Sequence, residues 1–463
     1  MKRNRSLVKK SCSALLLAII VLAFIDVRTG TSEKWIDNMK EKKTARARIE
    51  AGGKIEIKDG VFSPEVMLAM GRISDPQVSP DGSMVIYGTG YISVEENNSL
   101  TNLYICGTDG SGAYRLTTEG KSISNARWSA DGKSLAFIQE GQIFTAKLKK
   151  GRDGRLSLGK KVQVSDVPAG ISQFTLSDDQ SRIMYVSTVQ SALKKPSDLY
   201  SDLDKADAIS ADDLMYRHWD HWVKEVPHTF VAGFVFGKEG EKSITPGTSK
   251  DILASEKEIY ELPTEPFSGI EQLAWSPDGK TIAYSCRKLT GKKYAFSTNT
   301  EIYFYDIESG ECTQLTMGGG YDTNPVWSPD GKKICWISME RNGYEADKQR
   351  LMVADIEWGV PAKDSGSSAS RLPVISGVKD ITCAFKYNAS APVWGTGSDE
   401  IYFSALAEGI QGIFRARCTV PDGQADGGVP GQGAENSSWD IERITGEDLW
   451  YDFNSPFHIS END

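Results

Sequence analysis

The residues best equipped for chemistry in this chain lie close together, in Asp212-Asp213-Leu214-Met-Tyr-Arg217-His218-Trp219-Asp220-His221-Trp222. Two of the chain's 4 histidines are there, which concentrates imidazole chemistry in this phrase. His218 and His221 stand three residues apart, and on a helix that spacing puts both rings on one face beside Asp220. Two imidazoles could begin a metal site, but the pattern specifies no third ligand. None of the cysteines forms a C-x-x-C pair. No metal and no cofactor are therefore expected. The plainer reading is an amphipathic helix whose Leu214, Trp219 and Trp222 pack on the body of the fold.

Nucleophilic catalysis by serine on a strand-to-helix elbow needs G-x-S-x-G, because that turn tolerates little side chain. The nearest approaches are Gly120-Lys-Ser122, Gly132-Lys-Ser134, Gly170-Ile-Ser172 and Gly247-Thr-Ser249. None has a glycine two residues after the serine. No alternation of strands and helices builds a hydrolase sheet. His458, near the end of the sequence, takes no triad position. No catalytic residue is expected in these 463 residues.

What must position the charged phrase is a repeat. Gln77-Val-Ser-Pro-Asp-Gly82 returns as Arg127-Trp-Ser-Ala-Asp-Gly132, Thr175-Leu-Ser-Asp-Asp179, Ala274-Trp-Ser-Pro-Asp-Gly279 and Val326-Trp-Ser-Pro-Asp-Gly331, with a degraded copy at Val393-Trp-Gly-Thr-Gly397. An alternating apolar run before the phrase reads as a strand. Pro fixes φ, Asp caps its own backbone and Gly accepts positive φ, so the phrase is a tight turn. The β-rich run after it, as in Thr281–Tyr284, is the antiparallel partner. Two further strands follow, and four strands per copy make one propeller blade.

The expected fold class is therefore all-β: a β-propeller of six four-stranded blades plus the first strand of a seventh. Blades are expected to start near residues 73, 123, 171, 270, 322 and 388. An insert at 190–226 interrupts the third, which resumes with strands at His228–Phe234 and Lys242–Pro246. Loops at 360–371 and 420–438 are rich in Gly, Ser and Asp. Ser63 and Pro64 cap a short helix. The partial blade is residues 447–463, within a propeller expected over 63–463.

The Lys2–Lys10 basic start and the apolar Ala14–Phe24 predict a signal peptide at 1–30 and export, periplasmic or extracellular. An N-terminal membrane anchor is the alternative, although the apolar run is short for a span. Residues 31–62 read as a linker. No integral membrane span is expected after signal cleavage. The net charge of −10 becomes about −15 once that basic start is removed. An acidic body argues against nucleic acid as a partner. Six cysteines follow Cys12, and export permits disulfides. Runs such as Lys-Ile-Cys335-Trp-Ile equally suit small buried hydrophobes.

The repeat phrase resembles the Tol-system type of β-propeller. The entry Met67-Leu-Ala-Met-Gly-Arg-Ile-Ser-Asp-Pro-Gln77 and the insert phrase Asp213–Trp222 resemble the prolyl oligopeptidase family of serine peptidases, in its dipeptidyl-peptidase-like and acylaminoacyl-peptidase-like branch. The resemblance covers about residues 63–463. It implies a propeller that gates peptide access to an α/β-hydrolase domain, whose motifs this sequence lacks. It implies that the insert borders the peptide cavity, where Asp212, Asp213, Arg217 and His218 meet a peptide amine or carboxylate by charge-assisted hydrogen bonds. Peptides are then the expected partners. The alternative is a self-sufficient periplasmic propeller that binds other proteins through its loops.

Overall fold

A computed structural model describes residues 57, 59–118, 120–214, 216–219, 221–237, 244–266, 268–358, 372–419 and 438–446. The expected signal, most of the linker, the loop at 360–371, nearly all of the loop at 420–438 and residues 447–463 lie outside these. Two compact units are distinguished: Met1–Ser74 with Gly88–Asn102 and Thr118–Ser122, and Asp75–Tyr87 with Leu103–Thr117 and Ile123–Asp463. In the first unit, Ser63 caps the helix Pro64–Ala69 by accepting the Val66 N–H at 3.4 Å. There, too, the Thr101 N–H donates to Ser122 Oγ at 3.1 Å.

The described residues form six four-stranded sheets, and in each the chain moves from one strand to its neighbour. The sheets begin at Arg72, Ile123, Gln173, Leu273, Tyr321 and Ser390. Each copy of the turn phrase joins the first and second strands of a sheet. In the fourth, Ser276 Oγ donates to Asp278 at 2.7 Å and accepts the Thr281 N–H at 2.9 Å. Asp278 accepts the Lys280 N–H at 3.1 Å, and Gly279 takes φ +65°. One serine and one carboxylate thus satisfy the turn, and the following strand leaves in register. In the third copy Gln180 takes φ +54° where four of the others have Gly. Its amide reaches the Ala130 N–H at 2.7 Å and the Trp128 carbonyl at 2.9 Å, linking the third sheet to the second.

The core lies between successive sheets. Phe137 packs towards the first sheet, Phe174 joins the second and third, Phe304 the fourth and fifth, and Phe403 the fifth and sixth. All four are fully buried. Sandwiching on both faces explains why second strands such as Thr281–Cys286 are buried along their whole length. A strand covered on both faces reads as a continuous apolar run rather than an alternating one.

One expectation needs correction. The fourth strand of the third sheet is Lys250–Asp251, paired with Phe230 and Val231, and not Lys242–Pro246. Ile244 instead makes a single parallel bridge to Ser165. For the cysteines, where pairing and burial were both open, the described ones are unpaired: Cys106, Cys286, Cys312, Cys335, Cys383 and Cys418 are all free thiols. Burial pushes the Cys286 thiol up to about 12, so it serves as a small hydrophobe.

Candidate functional site

The charged phrase is not helical. Arg217–His218 pairs antiparallel with His221–Trp222, so the insert ends in a small hairpin. Trp219, at its tip, has φ +27°, which a helix does not allow. Arg217 closes the turn by donating from Nε to the Trp219 carbonyl at 2.9 Å. Leu214, Trp219 and Trp222 do not form a packed face: all are exposed, Trp219 by 74%. A tertiary contact overrides the helical spacing. His218 is buried, and its Nε2 lies 2.7 Å from Glu261 Oε1.

Glu261 belongs to the segment that follows the third sheet. Its carboxylate also accepts the Tyr294 hydroxyl from the short helix Gly291–Ala295 and the Glu265 N–H at 3.2 Å. His218, Glu261 and Tyr294 stand between two cavities. The smaller, about 470 Å3, is lined by Asp212, Asp213, Leu214, Ile259, Glu261 and Tyr294 among others. The larger, about 660 Å3, is lined by His218, Trp219, Glu265, Arg287, Tyr294 and Phe296 among others.

The expected site residues therefore separate. Asp212 and Asp213 are exposed at the smaller cavity. Asp213 accepts its own neighbour's N–H, from Leu214, at 2.7 Å. It approaches Gly291 so closely that a Cβ there would collide with its carboxylate. Arg217 is exposed, with its guanidinium 5.7 Å from the centre of the Trp222 ring. His218 faces the larger cavity but is tied to Glu261.

The chain matches no family model. It is 38% identical over 350 residues to a dipeptidyl-peptidase 5 of Porphyromonas gingivalis, an alignment covering 75% of this chain and 46% of the relative. It is 40% identical over 297 residues to a dipeptidyl-peptidase 5 of Porphyromonas endodontalis, covering 63% and 40% respectively. These similarities support a resemblance to the propeller domain of the prolyl oligopeptidase family. It spans less than half the length of these curated relatives. Among solved structures, an acylaminoacyl peptidase in complex with a chloromethyl ketone superposes with a TM-score of 0.49 at 18% identity, over 76% of this chain and 46% of that one.

At these cavities sequence reasoning missed Glu261, Glu265, Arg287 and Tyr294. Glu265 is half-buried, and no described residue donates a hydrogen bond to its carboxylate. Burial, then the neighbouring Glu261, raises its pKa above the usual carboxylate value. The Arg287 guanidinium lies 4.6 Å from the centre of the Tyr294 ring, and its buried Nε finds no partner among the described residues. Arg341, on the same cavity, is already engaged by Asp347 through Nε at 2.9 Å. The larger cavity is thus lined by the half-buried carboxylate of Glu265 and by Arg287, together with the exposed Trp219 and Phe296. An ammonium beside a carbonyl oxygen complements that pair. Among the described residues, no group of acids, histidines and cysteines could hold a metal ion, and no helix is long and apolar enough to cross a membrane.

Proposed function

We propose that this chain is the N-terminal, substrate-gating propeller of an exported dipeptidyl-peptidase-like serine peptidase, and that alone it hydrolyses no peptide bond. The observation that carries this reading is the larger cavity, which the carboxylate of Glu265 and the guanidinium of Arg287 line together with the aromatic Trp219 and Phe296. Glu265 receives the α-ammonium of a peptide, Arg287 its first carbonyl oxygen, and Trp219 and Phe296 cover the stem. Asp212 and Asp213 line the neighbouring smaller cavity, and His218 lines the larger one. The chain supplies no G-x-S-x-G, so the nucleophile and the oxyanion hole must come from an α/β-hydrolase half. Similarity to the dipeptidyl-peptidases supports the peptide class of ligand.

Calorimetry with a short peptide in free and N-acetylated forms tests the reading. The free form should bind at least about tenfold more tightly, as a charge-assisted hydrogen bond implies, and Glu265→Gln should abolish the difference. Equal affinity for both forms would overturn it. A chromogenic dipeptide substrate should release no product, and turnover blocked by a serine-directed inhibitor would refute the division of labour.

A further inference from the structure

The smaller cavity holds more negative charge than its own residues neutralise. Its walls come from the insert, from residues 257–261 after the third sheet and from the stretch 289–294. Four carboxylates line it, those of Asp212, Asp213, Glu258 and Glu261, against the single ammonium of Lys257. Glu261 is buried and already bonded to His218 and Tyr294. Asp212, Asp213 and Glu258 are exposed, and among the described residues none of the three forms an ion pair. Much of the remaining wall is apolar, including Leu193, Leu214, Ile259 and Leu289. Leu214 and Ile259 are exposed although large and apolar. Tyr216, Tyr260 and Tyr294 add aromatic rings. At about 470 Å3 the space falls within the range of about 300–1,000 Å3 usual for ligand pockets. The chain that leads to it is acidic too: between 198 and 213 the insert has six aspartates and one lysine.

We infer that the smaller cavity is a binding site for a basic peptide side chain, an arginine or lysine whose alkyl stem lies on Leu214 and Ile259 and whose cationic head meets Asp212, Asp213 and Glu258. Charge and wall chemistry together select that occupant. An anion is repelled, and a neutral apolar group would strip water from the carboxylates without replacing its hydrogen bonds. A bare metal ion finds no suitable group of ligands among the described residues. A cation on an apolar stem satisfies both parts of the lining. The stem covers exposed apolar surface, and the head forms charge-assisted hydrogen bonds. The tyrosine rings favour the same ligand, because an aromatic face attracts a cation. The aspartates of the insert raise the local concentration of cations before contact. The site is distinct from the place proposed for the peptide amine, since Glu265 and Arg287 line the larger cavity and not this one. The peptide nature of the ligand rests on the function proposed above, but the cavity and its charge do not.

Calorimetry on the full chain with N-acetylated tripeptides tests this, because acetylation removes the α-ammonium assigned to the larger cavity. A peptide with a central arginine should bind at least about tenfold more tightly than one with norleucine there, which keeps the stem and drops the charge. Raising salt from about 0.05 M to about 0.5 M should erase most of that preference. Asp212→Asn combined with Asp213→Asn should remove most of it from one wall, and Glu258→Gln part of it from another. Glu265→Gln should leave it intact. Equal affinity for the arginine and norleucine peptides overturns the inference, and that measurement needs no variant. A preference that survives both the aspartate and the glutamate changes overturns the assignment to this cavity. Propylguanidine, which carries the side chain without the peptide, should bind more weakly than the arginine peptide. If it binds as tightly, the occupant is a free organic cation and the peptide side chain is overturned. An arginine preference in a chain that binds free and acetylated peptides alike would instead overturn the amine reading and leave this site.

Discussion

The tryptophans that precede the turn phrase look equivalent in the sequence, but their indole N–H groups do not share one fate. Trp128 donates to the Gln77 carbonyl at 3.1 Å and Trp394 to the Val326 carbonyl at 3.0 Å, each reaching back to the preceding sheet. Trp275 and Trp327 hold buried Nε1 atoms with no partner among the described residues. Phenylalanine keeps most of the ring packing and removes the donor. Trp394→Phe should therefore cost about 1–2 kcal/mol, because it also strands a carbonyl. Trp327→Phe relieves an unpaired polar atom, so its effect should be near zero or stabilising, offset by the smaller ring. Urea melts of the two variants decide this, and equal losses would show that ring volume governs both sites. Sequence reasoning identified the tryptophans as packing residues because apolar bulk shows in residue type. It could not tell donors from orphans, since that depends on a carbonyl in the previous repeat, 51 residues earlier for Trp128 and 68 for Trp394.

At the scale of elements, the turn phrase was legible because all its partners lie within a few residues. Ser177 Oγ donates to Asp179 at 2.7 Å, and the Ser181 N–H reaches the same carboxylate at 3.0 Å. These bonds, the serine hydroxyl first, hold the Asp179 pKa at about 2, and the equivalent bonds from Ser79 and Ser129 lower Asp81 and Asp131. A carboxylate depressed on folding contributes stability above its unfolded value, near 4, and loses it as pH falls through the folded one. The urea midpoint should fall between about pH 4 and about pH 2, and Ser177→Ala should make that fall shallower. An unchanged slope would mean that the turn does not couple to global unfolding. A second device was present in the sequence and went unread. Asp75, Asn125 and Asn324 stand four residues before the turn serine, each at positive φ. The strand register slips beside Asn125 and Asn324. Asn and Asp tolerate that conformation, so their recurrence marks a β-bulge. The insert defeated sequence reading for the opposite reason. His218 is placed by Glu261, 43 residues away, and local spacing carries no trace of such a partner.

For the molecule as a whole, the spacing of the turn phrases made six sheets legible, whereas the candidate site was legible only as a place. The site's decisive groups, Glu261, Glu265, Arg287 and Tyr294, carry no motif and meet only because the third and fourth sheets are neighbours. That neighbour relation has a consequence for stability. Each core cluster is built from two successive sheets, so the described sheets are coupled mainly in series, as in repeat proteins. Phe304 is fully buried, with its ring 4.9 Å from Trp327 across the contact between the fourth and fifth sheets. Phe304→Ala removes that stacking and leaves a cavity, which should cost about 3–5 kcal/mol. If coupling runs in series, faster amide exchange should concentrate in residues 273–380 and fade towards the second and sixth sheets. Uniform acceleration across all six would instead show that the sheets open as one cooperative unit. The acceleration should also reach Tyr294, because its helix Gly291–Ala295 lies between the second and third strands of the fourth sheet. The floor of the candidate site would then loosen with the interface, and peptide affinity should fall although Phe304 lines neither cavity.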